Sequence, residues 1–140
     1  MDMSAFMKGK AKQLPEEEKV ITQMYLDEKG EPIPFRFRAA STQTIDAIRG
    51  DCTIVKFTKG QKIERFDKER FACRVAIETT VFPDFKNAEL MKSYGHIDPV
   101  DTAREILNLP GEYATWIEAC FKLNGFDDTV EDLVEEAKNS

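Results

Sequence analysis

Histidine, clustered glycine and long apolar runs are all scarce in this 140-residue chain, and each scarcity closes off a class of function. His96 is the one histidine and no Cys-x-x-Cys pair occurs, so a zinc site of imidazoles and thiolates has no ligand set. The glycines stand apart from one another, from Gly9 to Gly125, which leaves no glycine-rich loop to cradle a phosphate. No apolar run approaches the roughly 18 residues that a membrane-spanning helix needs. The opening residues, Met1-Asp2-Met3-Ser4-Ala5-Phe6-Met7-Lys8, lack the apolar core of a secretory leader, and the expectation is a cytoplasmic protein. Cysteines number three, Cys52, Cys73 and Cys120; an odd, widely spaced set fits reduced thiols rather than a disulfide framework.

What the chain has in quantity is charge. Charged residues make up 33% and hydrophobic residues 41%, the balance of a small folded domain with a large solvated surface. The net charge of −6 argues against a protein that grips nucleic-acid backbone. It is unevenly spread: residues 1–80 carry 15 Lys+Arg against 13 Asp+Glu, a net of +2, and residues 81–140 carry 5 against 13, a net of −8. The length is that of one domain able to bury one core.

Residues 1–18 are polar and end in Glu16-Glu17-Glu18, which reads as a flexible arm ahead of a single domain over 19–140. Residues 19–39 read as a β-hairpin: an alternating run from Val20 to Leu26, a turn at Asp27-Glu28-Lys29-Gly30-Glu31, and a return strand with Ile33, Phe35 and Phe37 on one face. Ser41 caps a short helix carrying Ile45 and Ile48. Residues 53–63 read either as a second hairpin about Lys59-Gly60 or as a helix tail and a loop, with strand favoured. Asp67 caps the next helix, with Phe66 and Phe71 spaced as a hydrophobic staple and Pro83 as its stop. A short helix follows from Asn87 to Gly95, then one begun by Asp98-Pro99, then one begun by Pro110. The Pro110 helix carries Tyr113, Trp116, Ile117, Cys120 and Phe121 at helical spacing and stops at Asn124-Gly125. Asp128 and Glu131 have the spacing of a capping pair for a last helix burying Val130, Leu133, Val134 and Ala137. The expected class is α+β: an N-terminal hairpin, a possible second one, and about five short helices.

Catalytic or cofactor chemistry finds little support. A Cys–His nucleophilic pair requires His96 beside a cysteine, whereas Cys73 and Cys120 fall on apolar helix faces, where a thiol packs as a small hydrophobe. The acids from Asp127 to Glu136 lack the glycine and the ligand spacing of a calcium loop, and acids at a helix start favour its dipole. No catalytic, cofactor or metal residue is nominated.

The order of short motifs carries a resemblance. Tyr25-Leu26-Asp27-Glu28-Lys29-Gly30-Glu31-Pro32-Ile33-Pro34-Phe35, Val81-Phe82-Pro83-Asp84-Phe85-Lys86-Asn87-Ala88-Glu89-Leu90, Ser93-Tyr94-Gly95, Leu109-Pro110-Gly111-Glu112-Tyr113-Ala114 and Asn124-Gly125-Phe126-Asp127 occur in that sequence. From about residue 19 onward the chain resembles the XkdN-like tail assembly chaperones of tailed phages and phage-like elements. The arm and residues 50–66 resemble them least. The resemblance implies a non-enzymatic role in the bacterial host cytoplasm, with no cofactor, nucleic acid or membrane. Its implied partners are the tape measure protein, kept soluble, and the tail tube protein, whose subunits it helps recruit. An acidic domain covering apolar stripes of a long helical client both hides them and adds like-charge repulsion. The surface near Tyr94, Tyr113 and Phe126 is the candidate contact; the alternative is that all three are core. Two other readings stand beside this one, a structural tail component retained in the virion and a small cysteine enzyme.

Overall fold

The computed structural model describes residues 2–126. After a 3-10 turn at Ser4–Phe6, the elements run β1 Glu16–Lys19, β2 Phe35–Arg38, α1 Thr42–Asp51, β3 Thr53–Thr58, β4 Gln61–Phe66, α2 Lys68–Thr79, β5 Thr80–Phe82, α3 Ala88–Ser93, α4 Pro99–Ile106 and α5 Pro110–Leu123. This is an α+β protein with two small antiparallel sheets, ordered β1-β2-β5 and β3-β4. The expected last helix lies outside the described residues, and α1 falls between the two hairpins, as the Ser41 cap placed it.

The first hairpin exists, but its outgoing strand is not the alternating run after Val20. Glu16 to Lys19 pairs with Arg38 to Phe35, so the strand begins within the stretch read as an arm. Residues 20–34 form a long connection whose ladder shrinks to one bridge, Leu26 to Pro32. Two causes are visible. Pro32 and Pro34 offer no N–H to a ladder. Ile21 and Thr22 are both buried although adjacent, which a strand with alternating faces does not allow. The turn itself is as expected: the Asp27 carboxylate accepts from the Lys29 and Glu31 amides at 2.8 and 3.0 Å, and Gly30 has φ +77°.

Residues 53–66 form the second hairpin. Lys59 and Gly60 both have positive φ, 54° and 78°, the backbone that a two-residue loop needs to match strand twist. Both strands are exposed along nearly their whole length, so this ribbon stands out from the body.

α2 is the central element. Asp67 accepts from the Arg70 amide at 3.1 Å, and the Phe66 and Phe71 rings, 5.4 Å apart, close the staple. The helix stops before Pro83. Thr79 and Thr80 donate their hydroxyls to the Val75 and Ala76 carbonyls at 2.8 and 2.7 Å, and the β-branched run continues as a third strand. That strand, β5, lies against β2 and was not foreseen in the sequence.

α5 packs on α2 through Trp116, Ile117, Cys120 and Phe121, all buried. Trp116 is 0% exposed; its Nε1 donates to Thr80 Oγ1 at 2.9 Å, and its ring meets Phe85 edge-on at 5.3 Å. At the end of α5, Asn124 spans three elements. Its Oδ1 accepts from the Ala40 amide at 2.7 Å, and its Nδ2 donates to Thr79 Oγ1 and the Cys120 carbonyl at 2.9 Å.

Two substitutions test this core by urea denaturation followed by circular dichroism. Trp116→Ala removes a fully buried ring and its hydrogen bond, and is expected to cost about 3–5 kcal/mol. Asn124→Ala leaves the Ala40 amide unpaired and is expected to cost about 1–3 kcal/mol.

Candidate functional site

Among the described residues, the side-chain hydrogen bond of greatest sequence separation joins the 20–34 connection to the start of α5. Leu109 precedes the helix without a side-chain cap, and Pro110 begins it. Glu112, in the first turn, then reaches across: its carboxylate accepts from Thr22 Oγ1 at 2.6 Å and from the Gln23 amide at 2.9 Å. The Met24 amide in turn donates to Thr22 Oγ1 at 3.0 Å. The connection is thereby held over the N-terminal end of α5, where a carboxylate also complements the helix dipole.

Tyr25 continues this connection and meets the end of α3, its hydroxyl 3.1 Å from that of Tyr94. Burial and then the Tyr94 hydroxyl push the Tyr25 phenol up to about 12. The neighbourhood leaves large apolar side chains in solvent. Met24 is 69% exposed, Leu26 53%, Leu109 54%, and Ile97, three residues past Tyr94, 97%. Between Tyr94 and Ile97, His96 engages Glu105 at 3.3 Å.

The three side chains singled out from the sequence do not share one spot. Each is partly buried and packed against the core. Tyr94 meets Tyr25, whose chain neighbours Met24 and Leu26 are exposed. Tyr113 lies one residue beyond Glu112, its ring 5.7 Å from Trp116 and under the Arg104 guanidinium at 6.0 Å. Burial first, and then the neighbouring Cys73 thiol, hold its hydroxyl above the ordinary tyrosine range. Phe126 lies past the opposite end of the 14-residue α5, its ring 5.6 Å from Phe121. Met24, Leu26 and Ile97 carry more exposed apolar surface than any of the three. Extreme exposure of a hydrophobe is invisible to residue spacing, so nothing in the sequence marked them.

The cysteines are placed as core hydrophobes. Cys73 and Cys120 are 0% exposed and Cys52 2%. Burial raises all three thiols, Cys120 to about 12 against an ordinary 9.0. A nucleophilic thiol requires the opposite, a lowered value and access. Among the described residues, no group of His, Cys, Asp and Glu converges as a metal site, and no helix is long and apolar enough to cross a membrane.

The thiol environment has a measurable consequence. At pH 8 iodoacetamide is expected to leave Cys73 and Cys120 unmodified in the folded protein and to alkylate all three cysteines in 6 M guanidinium (about the usual denaturing strength). Because the folded value of Cys120 lies above the unfolded one, its contribution to stability is full below pH 9.0 and is lost as pH rises toward about 12. Denaturation midpoints taken across that window check the sign, and rapid alkylation of the native protein would contradict the burial.

Comparison with known proteins accounts for the arrangement. The chain matches the family described as "Phage XkdN-like tail assembly chaperone protein" over residues 3–138. It is 42% identical over 139 residues to "Uncharacterized protein YqbN" of Bacillus subtilis (strain 168), covering 99% of this chain and 93% of that protein. It is 40% identical over 139 residues to "Phage-like element PBSX protein XkdN" of the same strain, covering 99% and 94%. Its fold is similar to the crystal structure of the protein YqbN, with a TM-score of 0.78 and 37% identity over 91% of this chain and 98% of that one. The motifs carrying the resemblance contain Glu112, Phe85 and Asn124, each of which makes a structural contact in this chain. The chain belongs to the XkdN-like family of phage tail assembly chaperones.

Proposed function

We propose that this chain is a non-enzymatic chaperone, active in the host cytoplasm, that binds the tape measure protein. It keeps that protein soluble until tail tube subunits are recruited around it. The observation that carries the proposal is the family match across nearly the whole chain, residues 3–138. The exposed apolar side chains beside Tyr94 and Tyr25 are consistent with it, because isolated patches of this kind mark contact surfaces. The buried, raised cysteine thiols support the non-enzymatic part of the reading.

Client contact in this proposal centres on Tyr94, with Met24, Leu26, Ile97 and Leu109 around it. A helical client lays its apolar stripe across these side chains. Tyr113 acts from behind, as packing under the start of α5, and Phe126 offers a second point at the other end of that helix. Separate small contacts suit a complex that must come apart when tube subunits arrive, since affinity then rests on several weak terms.

Co-expression with a tape measure fragment tests the role. The fragment is expected in the soluble fraction with the chain and in the pellet without it, and equal insolubility in both would overturn the proposal. The double variant Met24→Asp/Ile97→Asp, at two solvent-facing positions, is expected to keep its thermal midpoint and lose the solubilising effect. Mass spectrometry of purified particles is expected to find the chain absent or scarce, and stoichiometric retention in the virion would instead indicate a structural component.

A further inference from the structure

The β3–β4 ribbon has more apolar surface in solvent than an isolated two-stranded element can sustain alone. Directly opposed residues in an antiparallel pair share a face, so Thr53–Phe66, Val55–Glu64 and Phe57–Lys62 lie on one side. Ile54–Arg65, Lys56–Ile63 and Thr58–Gln61 lie on the other. Phe57 is 75% exposed, Ile63 50%, Ile54 48% and Val55 44%. The first face is continuous with the core, because Phe66 at its base packs on Phe71. The ribbon is also basic: Lys56, Lys59, Lys62 and Arg65 stand against Glu64, a net of +3 over residues 53–66. Lys62 pairs with Glu64 at 3.1 Å, an exposed pair of little strength. Lys56, Lys59 and Arg65 have no carboxylate within ion-pair distance among the described residues.

The complementary charge lies in the same chain. Residues 127–140 carry six acids against Lys138, a net of −5, which is most of the net −6 of the whole protein. Their sequence also carries Val130, Leu133, Val134 and Ala137 at helical spacing. The place where they start is fixed by a row of rings. Phe126 is 5.6 Å from Phe121, Phe121 is 6.4 Å from Phe71, and Phe71 is 5.4 Å from Phe66, the last residue of β4. The chain therefore leaves the described body on the aromatic row that ends at the base of the ribbon. Fourteen residues as a helix reach about 21 Å, and a six-residue strand is about 20 Å long.

We propose that the ribbon is the docking surface for this chain's own residues 127–140. Val130, Leu133 and Val134 cover Val55 and Phe57, and the acids from Asp127 to Glu136 meet Lys62 on the same face and Lys59 at the turn. Docking covers the apolar surface of the face that is continuous with the core and offsets the charge of Lys59 and Lys62.

Zero-length carbodiimide cross-linking of the full chain, read by mass spectrometry of the monomer band, tests this. Intrachain links from Lys59 or Lys62 to acids of residues 127–136 are expected, in preference to links from Lys56 on the opposite face. Leu133→Asp is expected to lower their yield about tenfold, the effect of losing one buried leucine's contact, while the thermal midpoint of the core stays in place. Raising salt from 0.05 to 0.5 M (about a threefold shorter screening length) is expected to lower it as well. Links found only between chains, with yield rising with concentration, would assign the ribbon to a second copy and overturn the proposal. Links absent at every concentration, or unchanged in Leu133→Asp, would also overturn it.

Discussion

The burial of Trp116 against Thr80 is the constraint on which the rest of the fold depends. The ring occupies the junction of α5, α2 and β5, and a single hydroxyl organises that junction: Thr80 Oγ1 donates to the Ala76 carbonyl and accepts from the indole. The same threonine ends α2 and begins the strand that completes the three-stranded sheet. An indole N–H without a partner in so dry a site costs much of what burying the ring contributes. Helix packing and sheet pairing are thus coupled through one hydrogen bond, and Phe85 and Tyr113 fill the space on either side of the ring.

Two polar side chains then carry this order outward. Glu112 fastens the 20–34 connection to the start of α5, and Asn124 fastens Ala40 and Thr79 to its end. The bonds from Glu112 to Thr22 and from Asn124 to Ala40 each cross more than half of the sequence, so each closes a large loop and holds one end of the long helix. Within the motif Leu-Pro-Gly-Glu-Tyr, Glu112 therefore has a structural part in this fold. The surface held in place this way displays hydrophobes instead of reactive groups, and the thiols are withdrawn into the interior, where ionisation is disfavoured. Charge is segregated too: the described body is nearly balanced, and the acidity is concentrated in the last residues.

The helical half was largely legible from local rules. Ser41, Asp67, Asn87 and Asp98 cap their helices as side-chain chemistry requires, and Pro99 and Pro110 begin theirs. Of the apolar stripe read for α5, Trp116, Ile117, Cys120 and Phe121 are buried and Tyr113 is partly buried. The Lys59-Gly60 turn was read as well, because positive φ at two successive positions has a compositional signature. The strands of the first sheet were harder. Glu16-Glu17-Glu18 has no strand propensity, and β1 forms because Phe35 and Phe37 need a partner for their backbone once their side chains are buried. The alternation from Val20 to Leu26 suggested a strand that Glu112 and two prolines preclude. Of the candidate contact residues, Tyr94 lies beside the exposed hydrophobes, Tyr113 lies behind them, and Phe126 lies at the far end of α5.

By itself the sequence determined where the described helices start and which face of α5 is buried, because caps, prolines and periodicity act within a few residues. Only the tertiary structure decided the pairing of β1 and β5 with β2, the clasp of Thr22 and Gln23 by Glu112, and the exposure of Ile97 and Phe57. Those outcomes depend on contacts between residues far apart in the chain, where loop closure is balanced against burial and no local signal records the result.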